Sequence, residues 1–133
     1  MKHLVTGAFT ALVMASAAWA ADPAEGLWKT AEGEEGGYLH VQIGACGNAL
    51  CGTIAKAFDA SGQSSGDYEH LGKRLIWDMQ AKGDGSYSGG KVWAPDTDKT
   101  YRSKMSLSGN KLTVKGCVAG GAICRGQDWT RLN

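Results

Sequence analysis

Arg125, Gln127, Trp129 and Arg131 recur at every second position near the end of this 133-residue chain. In an extended strand such residues share one face. An inward face would carry a guanidinium and an amide inside the fold, where polar groups need partners. A guanidinium lining a cavity suits a carboxylate or phosphate, which it can grip with two parallel hydrogen bonds. Structural pairing, or an outward polar stripe, is the plainer account of the same four residues. Trp28, Trp77 and Trp93 join Trp129, with Tyr38, Tyr87 and Tyr101, as aromatics that either line an apolar cup or fill a core.

Catalytic chemistry has less to stand on. His40 neighbours no Ser or Cys in a nucleophile motif, and neither does His70. No His-x-x-x-His or Glu-x-x-His pair offers a metal site, so neither metal nor cofactor is expected. Asp59, Asp67, Glu69 and His70 fall in one segment, which reads as a solvated acidic loop. A hydrolase working through Asp59, Glu69 or His70 is the third-ranked reading, because no matched acid–base pair is visible.

The elements that must position these groups follow from patterning. Residues 1–20 combine Lys2 and His3, an apolar run and the small-x-small end Ala18-Trp19-Ala20. That is the grammar of a cleavable export signal. Cleavage after Ala20 leaves residues 21–133 as a single domain with no membrane span, expected in the periplasm as a monomer. The balance of 14 Lys+Arg against 13 Asp+Glu gives no electrostatic case for nucleic acid. In an oxidising compartment Cys46, Cys51, Cys117 and Cys124 read as two disulfides. Three connectivities are open, and the short spacings make Cys46–Cys51 with Cys117–Cys124 the economical pairing.

The chain holds 20 Gly, about twice ordinary usage. Clusters of Gly, Asp, Asn, Ser and Pro divide it into eight short runs, near residues 26–31, 38–43, 50–58, 74–80, 87–94, 100–107, 111–117 and 123–132. Leu39, Val41 and Ile43 alternate with polar neighbours, as do Tyr101, Ser103, Met105 and Leu107, and Leu112 and Val114. Eight strands joined mostly by tight turns predict an all-β, antiparallel up-and-down barrel; a two-sheet sandwich is the rival. Gly89-Gly90 marks a bulge or a close approach. Residues 59–72 form the one long connection, a place for a lid or plug.

Gly26-Leu27-Trp28 near the start and Trp129-Thr130-Arg131 near the end resemble the lipocalin-type (calycin) signature. That resemblance implies that Arg131 covers Trp28 and that both, with Gly26, serve barrel closure. A wider set is similar to the bacterial exported family called domain of unknown function 2147. It comprises Gly26-Leu27-Trp28, Leu50-Cys51-Gly52-Thr53-Ile54, Gly89-Gly90-Lys91-Val92-Trp93-x-Pro95, Thr100-Tyr101, Lys115-Gly116-Cys117 and Cys124-Arg125-Gly126-Gln127-Asp128-Trp129-Thr130-Arg131. The chain departs from the family at Ala60-Ser61-Gly62-Gln63-Ser64-Ser65, where Asn residues are common. The resemblance implies a lipocalin-like barrel and no set chemistry.

The expected function is binding of a small amphipathic or anionic ligand in the barrel cup. Arg125 and Gln127 would be polar anchors, and Trp129, Trp93, Tyr101 and Trp77 the aromatic lining. The alternative is a periplasmic interaction or inhibitor module that meets an envelope protein through loop 59–72.

Overall fold

A computed structural model describes residues 21–133; the expected leader, residues 1–20, lies outside the described residues. Eight strands follow one another: β1 (Gly26–Lys29), β2 (Tyr38–Cys46), β3 (Ala49–Phe58), β4 (Arg74–Gly83), β5 (Ser86–Ala94), β6 (Lys99–Ser108), β7 (Lys111–Val118) and β8 (Ile123–Arg131). Each pairs antiparallel with the next, and β8 returns to β1, so the sheet is a closed barrel rather than a sandwich. Closure removes the edges that an eight-strand meander would otherwise expose. Among the described residues no helix is long and apolar enough to cross a membrane.

Alternation decides the inside. Val41, Ile43, Ile54, Ile76, Met79, Met105, Leu112 and Val114 are buried together with Trp28 and Trp129. Their polar neighbours, such as Gln42, Lys104 and Lys111, are exposed. The strands reach three residues further than the sequence pattern predicts at two places: β2 continues to Cys46 and β4 to Gly83. Small residues there look like turn formers, yet the turns themselves need only two residues.

An up-and-down meander sends alternate connections to opposite ends. The β2–β3, β4–β5 and β6–β7 connections at one end are two-residue turns at Gly47-Asn48, Asp84-Gly85 and Gly109-Asn110. Asp84 and Gly85 both hold positive φ (57° and 75°), the geometry that matches strand twist in a tight hairpin. The other end carries the four longer connections, residues 30–37, 59–73, 95–98 and 119–122. Each end has one disulfide. Cys46–Cys51 brackets the first tight turn, and Cys117–Cys124 joins two residues that face each other across β7 and β8. The economical pairing is the one formed.

Gly89, at φ 79°, and Gly90 form a bulge where the β5–β6 register shifts. A Cβ on Gly90 would stand 2.8 Å from the Trp77 carbonyl oxygen and 2.8 Å from Met79 Cε. Both halves of the expectation for this pair, bulge and close approach, are met.

Candidate functional site

The tight-turn end is sealed. Trp28 is wholly buried there and its indole N–H donates to the Ala24 carbonyl at 2.9 Å. The Arg131 guanidinium carbon lies 4.4 Å from the Trp28 ring centroid, a cation–π distance. Its nitrogens donate to the Glu25 and Pro23 carbonyls. Tyr87 is 4% exposed and donates to Asp22 Oδ1 at 2.6 Å. Burial first, and then Asp22, push its phenol far above the usual tyrosine range. Gly26 has φ 142°, and a Cβ there would lie 2.6 Å from the Asn133 carbonyl oxygen. Thus Gly26, Trp28 and Arg131 share one tightly bonded base.

At the opposite end the long connections surround a cavity of about 1320 Å³. It exceeds the ~300–1,000 Å³ common for small-molecule sites. Leu39, Ala57, Leu75, Val92, Val114 and Trp129 line its apolar part. Tyr38, Phe58, Tyr68, His70, Trp93 and Tyr101 add aromatic surface higher in the wall.

The alternating β8 residues land where their register dictates. Leu112 faces Trp129, Val114 faces Gln127, and Gly116 faces Arg125. Because Leu112 and Val114 point into the core, Gln127 and Arg125 share the cavity side, and both line it. Gln127 Oε1 accepts from the Trp129 indole N–H at 2.7 Å. Among the described residues no hydrogen bond engages the Gln127 amide nitrogen or the Arg125 guanidinium.

Of the aromatics expected in the lining, Trp129, Trp93 and Tyr101 are present and Trp77 is absent. Leu50 and Gly52 of β3 oppose Met79 and Ile76 of β4, so β4 carries one extra residue between them. Asp78, at φ 55°, sits in that bulge. The insertion breaks period two, leaving Ile76 and Met79 inside and Trp77 half-buried opposite Lys91. Trp77 therefore lies off the cavity.

The long connection is folded against the barrel. Ser64 bridges to Phe58, Ser65 N–H donates to the Ala57 carbonyl, and Gly72 N–H donates to the Ile54 carbonyl. Asp59 Oδ1 accepts from Ser61 N–H, Ser61 O–H and Gln63 N–H, which lowers its pKa. Asp59 organises its own turn and does not line the cavity. His70 does, packed edge-on between Tyr68 and Trp93 with ring centroids 5.2 and 4.9 Å away. Its Nε2 is 3.3 Å from Glu69 Oε1, while its Nδ1 is buried without a partner. The Trp93 indole N–H donates to Asp98 at 2.8 Å, and Lys73 Nζ stands 5.7 Å from the Trp93 ring centroid.

Two features escape a reading of the sequence. First, β1 pairs with β8 only at Trp28–Arg131 and Lys29–Thr130. Beyond those pairs the cavity is bounded by residues 31–37 on one bank and Ile123–Gln127 on the other, so the mouth extends down one side. The early turn signals after Thr30 are the only trace of this in the sequence. Second, Glu34, Glu35, Glu69 and Asp96 also line the cavity, from three separate connections. Sequence distance conceals their convergence.

Residues 26–131 match the family described as an uncharacterized protein conserved in bacteria (DUF2147). The chain is also similar to a solved structure described as "Protein HP1028 from the human pathogen Helicobacter pylori belongs to the lipocalin family". That likeness has a TM-score of 0.65 at 18% identity and covers 82% of each chain; at such identity it concerns the fold. No curated protein matches the chain.

Proposed function

This chain belongs to the DUF2147 family, and we propose that it is an exported, single-domain barrel that holds a small amphipathic molecule in its cup. The cavity carries this reading. It joins an apolar floor around Trp129 to exposed polar groups with no protein hydrogen-bond partner, Arg125 and the amide nitrogen of Gln127. Unpaired donors in a concave apolar site are what orients a ligand. Trp93 and Tyr101 contribute the wall, and Arg125 and Gln127 the polar contacts. The leader pattern in residues 1–20 and the two disulfides support export.

A partner-binding role has weaker support, since residues 59–73 pack back on the barrel instead of projecting. Its own observation is the exposed lip of Val118 (46% exposed) and Ile123 (59% exposed). A hydrolase using Asp59 is unsupported by its place: the carboxylate organises its own turn through Oδ1 and does not line the cavity.

Native mass spectrometry of the protein purified from its own periplasm separates these readings. The cup reading expects a co-purifying small mass that is lost in Arg125→Ala. A co-purifying protein would favour the lip, and a clean apo barrel would count against both.

A further inference from the structure

The sign of charge around the mouth narrows the ligand class. Glu34 and Glu35 reach it from the β1–β2 connection, Glu69 from the β3–β4 connection and Asp96 from the β5–β6 connection. Against them the lining offers Arg125, and His70 if protonated, with Lys73 close by over Trp93 and Lys29 over Tyr38. Among the described residues no Lys or Arg forms an ion pair with any of the four carboxylates; the close contact is Glu69 with His70. The field is felt within the wall. Burial is the larger cause of the raised Tyr68 pKa, and Glu69 and then Asp96 push it the same way. Tyr68 and Trp93 flank His70, so aromatic ring faces, that of Trp93 already under Lys73, share this stretch of the lining with Glu69. Such faces attract a desolvated cation, most of all a quaternary ammonium.

We infer that the cup selects an amphipathic molecule with a cationic head, held at the acidic mouth among Tyr68, Trp93, Glu69 and Asp96 while its apolar part enters toward Trp129. The inference rests on the cup reading and adds the head-group charge. Arg125 then serves an acceptor oxygen deeper in the same ligand. It faces Gly116, two residues below the Val118–Ile123 lip, with the Tyr101 and Val92 side chains next to that glycine.

Three probes of equal chain length test this below their micelle concentrations: decyltrimethylammonium, decyl sulfate and uncharged decyl maltoside. Binding is read from tryptophan fluorescence and calorimetry. The expected result is at least about tenfold tighter binding of the ammonium than of the sulfate at low ionic strength. That gap should shrink at ~0.5 M salt, where screening acts within ~3–5 Å. Glu34→Gln with Glu35→Gln should weaken the ammonium by about threefold and leave the maltoside unchanged. These exposed loop positions leave the core untouched, which thermal melting verifies. Decyl sulfate or maltoside binding as tightly as the ammonium at low salt overturns the charge inference and preserves the cup. No binding by any of the three overturns both.

Discussion

The two ends of the barrel are built from the same eight strands and differ in almost everything else. At the base, two-residue turns draw the strands together, and the segments before β1 and after β8 fold across the opening. Every polar group of its central cluster has a partner: Trp28 with Ala24, Tyr87 with Asp22, Arg131 with Glu25 and Pro23. At the mouth, four longer connections surround a cavity in which Arg125 and Gln127 are exposed and His70 Nδ1 is buried without a partner. A buried polar atom left unpaired costs about 1–3 kcal/mol. The base avoids that cost, whereas the mouth carries it at His70. A closely bonded base and an open, cavity-bearing mouth thus stand at opposite ends of one sheet.

Substitutions at the two ends can break this division. Trp28→Ala should cost about 3–5 kcal/mol, as a large core side chain is lost and a cavity left; urea unfolding measures it. A loss below ~1 kcal/mol would show that the base is not what holds the barrel. Next in size, Gly26→Ala meets the Asn133 carbonyl oxygen at 2.6 Å with φ 142° and should cost about 1–3 kcal/mol. Gly66→Ala in a mouth connection meets nothing within 4 Å and has no positive φ. It should be neutral or stabilise by up to ~1 kcal/mol.

The tyrosines sharpen the contrast through pH. Burial raises the Tyr87 phenol at the base strongly, and the Tyr68 phenol at the mouth less. A pKa raised by folding favours the neutral form, so the associated stability is present below the unfolded value of ~10. It is lost as pH rises above that value. Between about pH 10 and 12, Tyr87→Phe should flatten the fall in unfolding midpoint, and Tyr68→Phe should flatten it less. Equal effects would remove this distinction between the ends. Smallest of all, Arg125→Ala should move the unfolding free energy by no more than ~0.5 kcal/mol while abolishing ligand retention. A larger loss of stability would make Arg125 a structural residue.

Much of this division could have been read from connection lengths. Three short turns alternate with longer connections, and an up-and-down meander must gather each kind at one end. Trp77 shows where pattern reading stops. Leu75, Ile76, Trp77 and Met79 form an apolar run with no unique phase, and the residue added around Asp78 decides which of them faces inward. The mouth charges were hidden for another reason. Glu34, Glu69 and Asp96 are separated by dozens of residues, and each alone looks like an ordinary solvated loop residue.

By itself the sequence determined the strands, their antiparallel order and the alternating faces of β2, β6 and β7, while the face that Arg125, Gln127 and Trp129 share on β8 stayed open between inward and outward. Period-two alternation and glycine-rich turns are local, and locality makes them legible. Two short cysteine spacings likewise favoured the local disulfides among three connectivities. Only the tertiary structure decided that β1 and β8 meet at just two residue pairs, that β4 slips phase, and that carboxylates from three connections ring one cavity. Those features depend on register and on barrel closure, which bring together residues that no local pattern links.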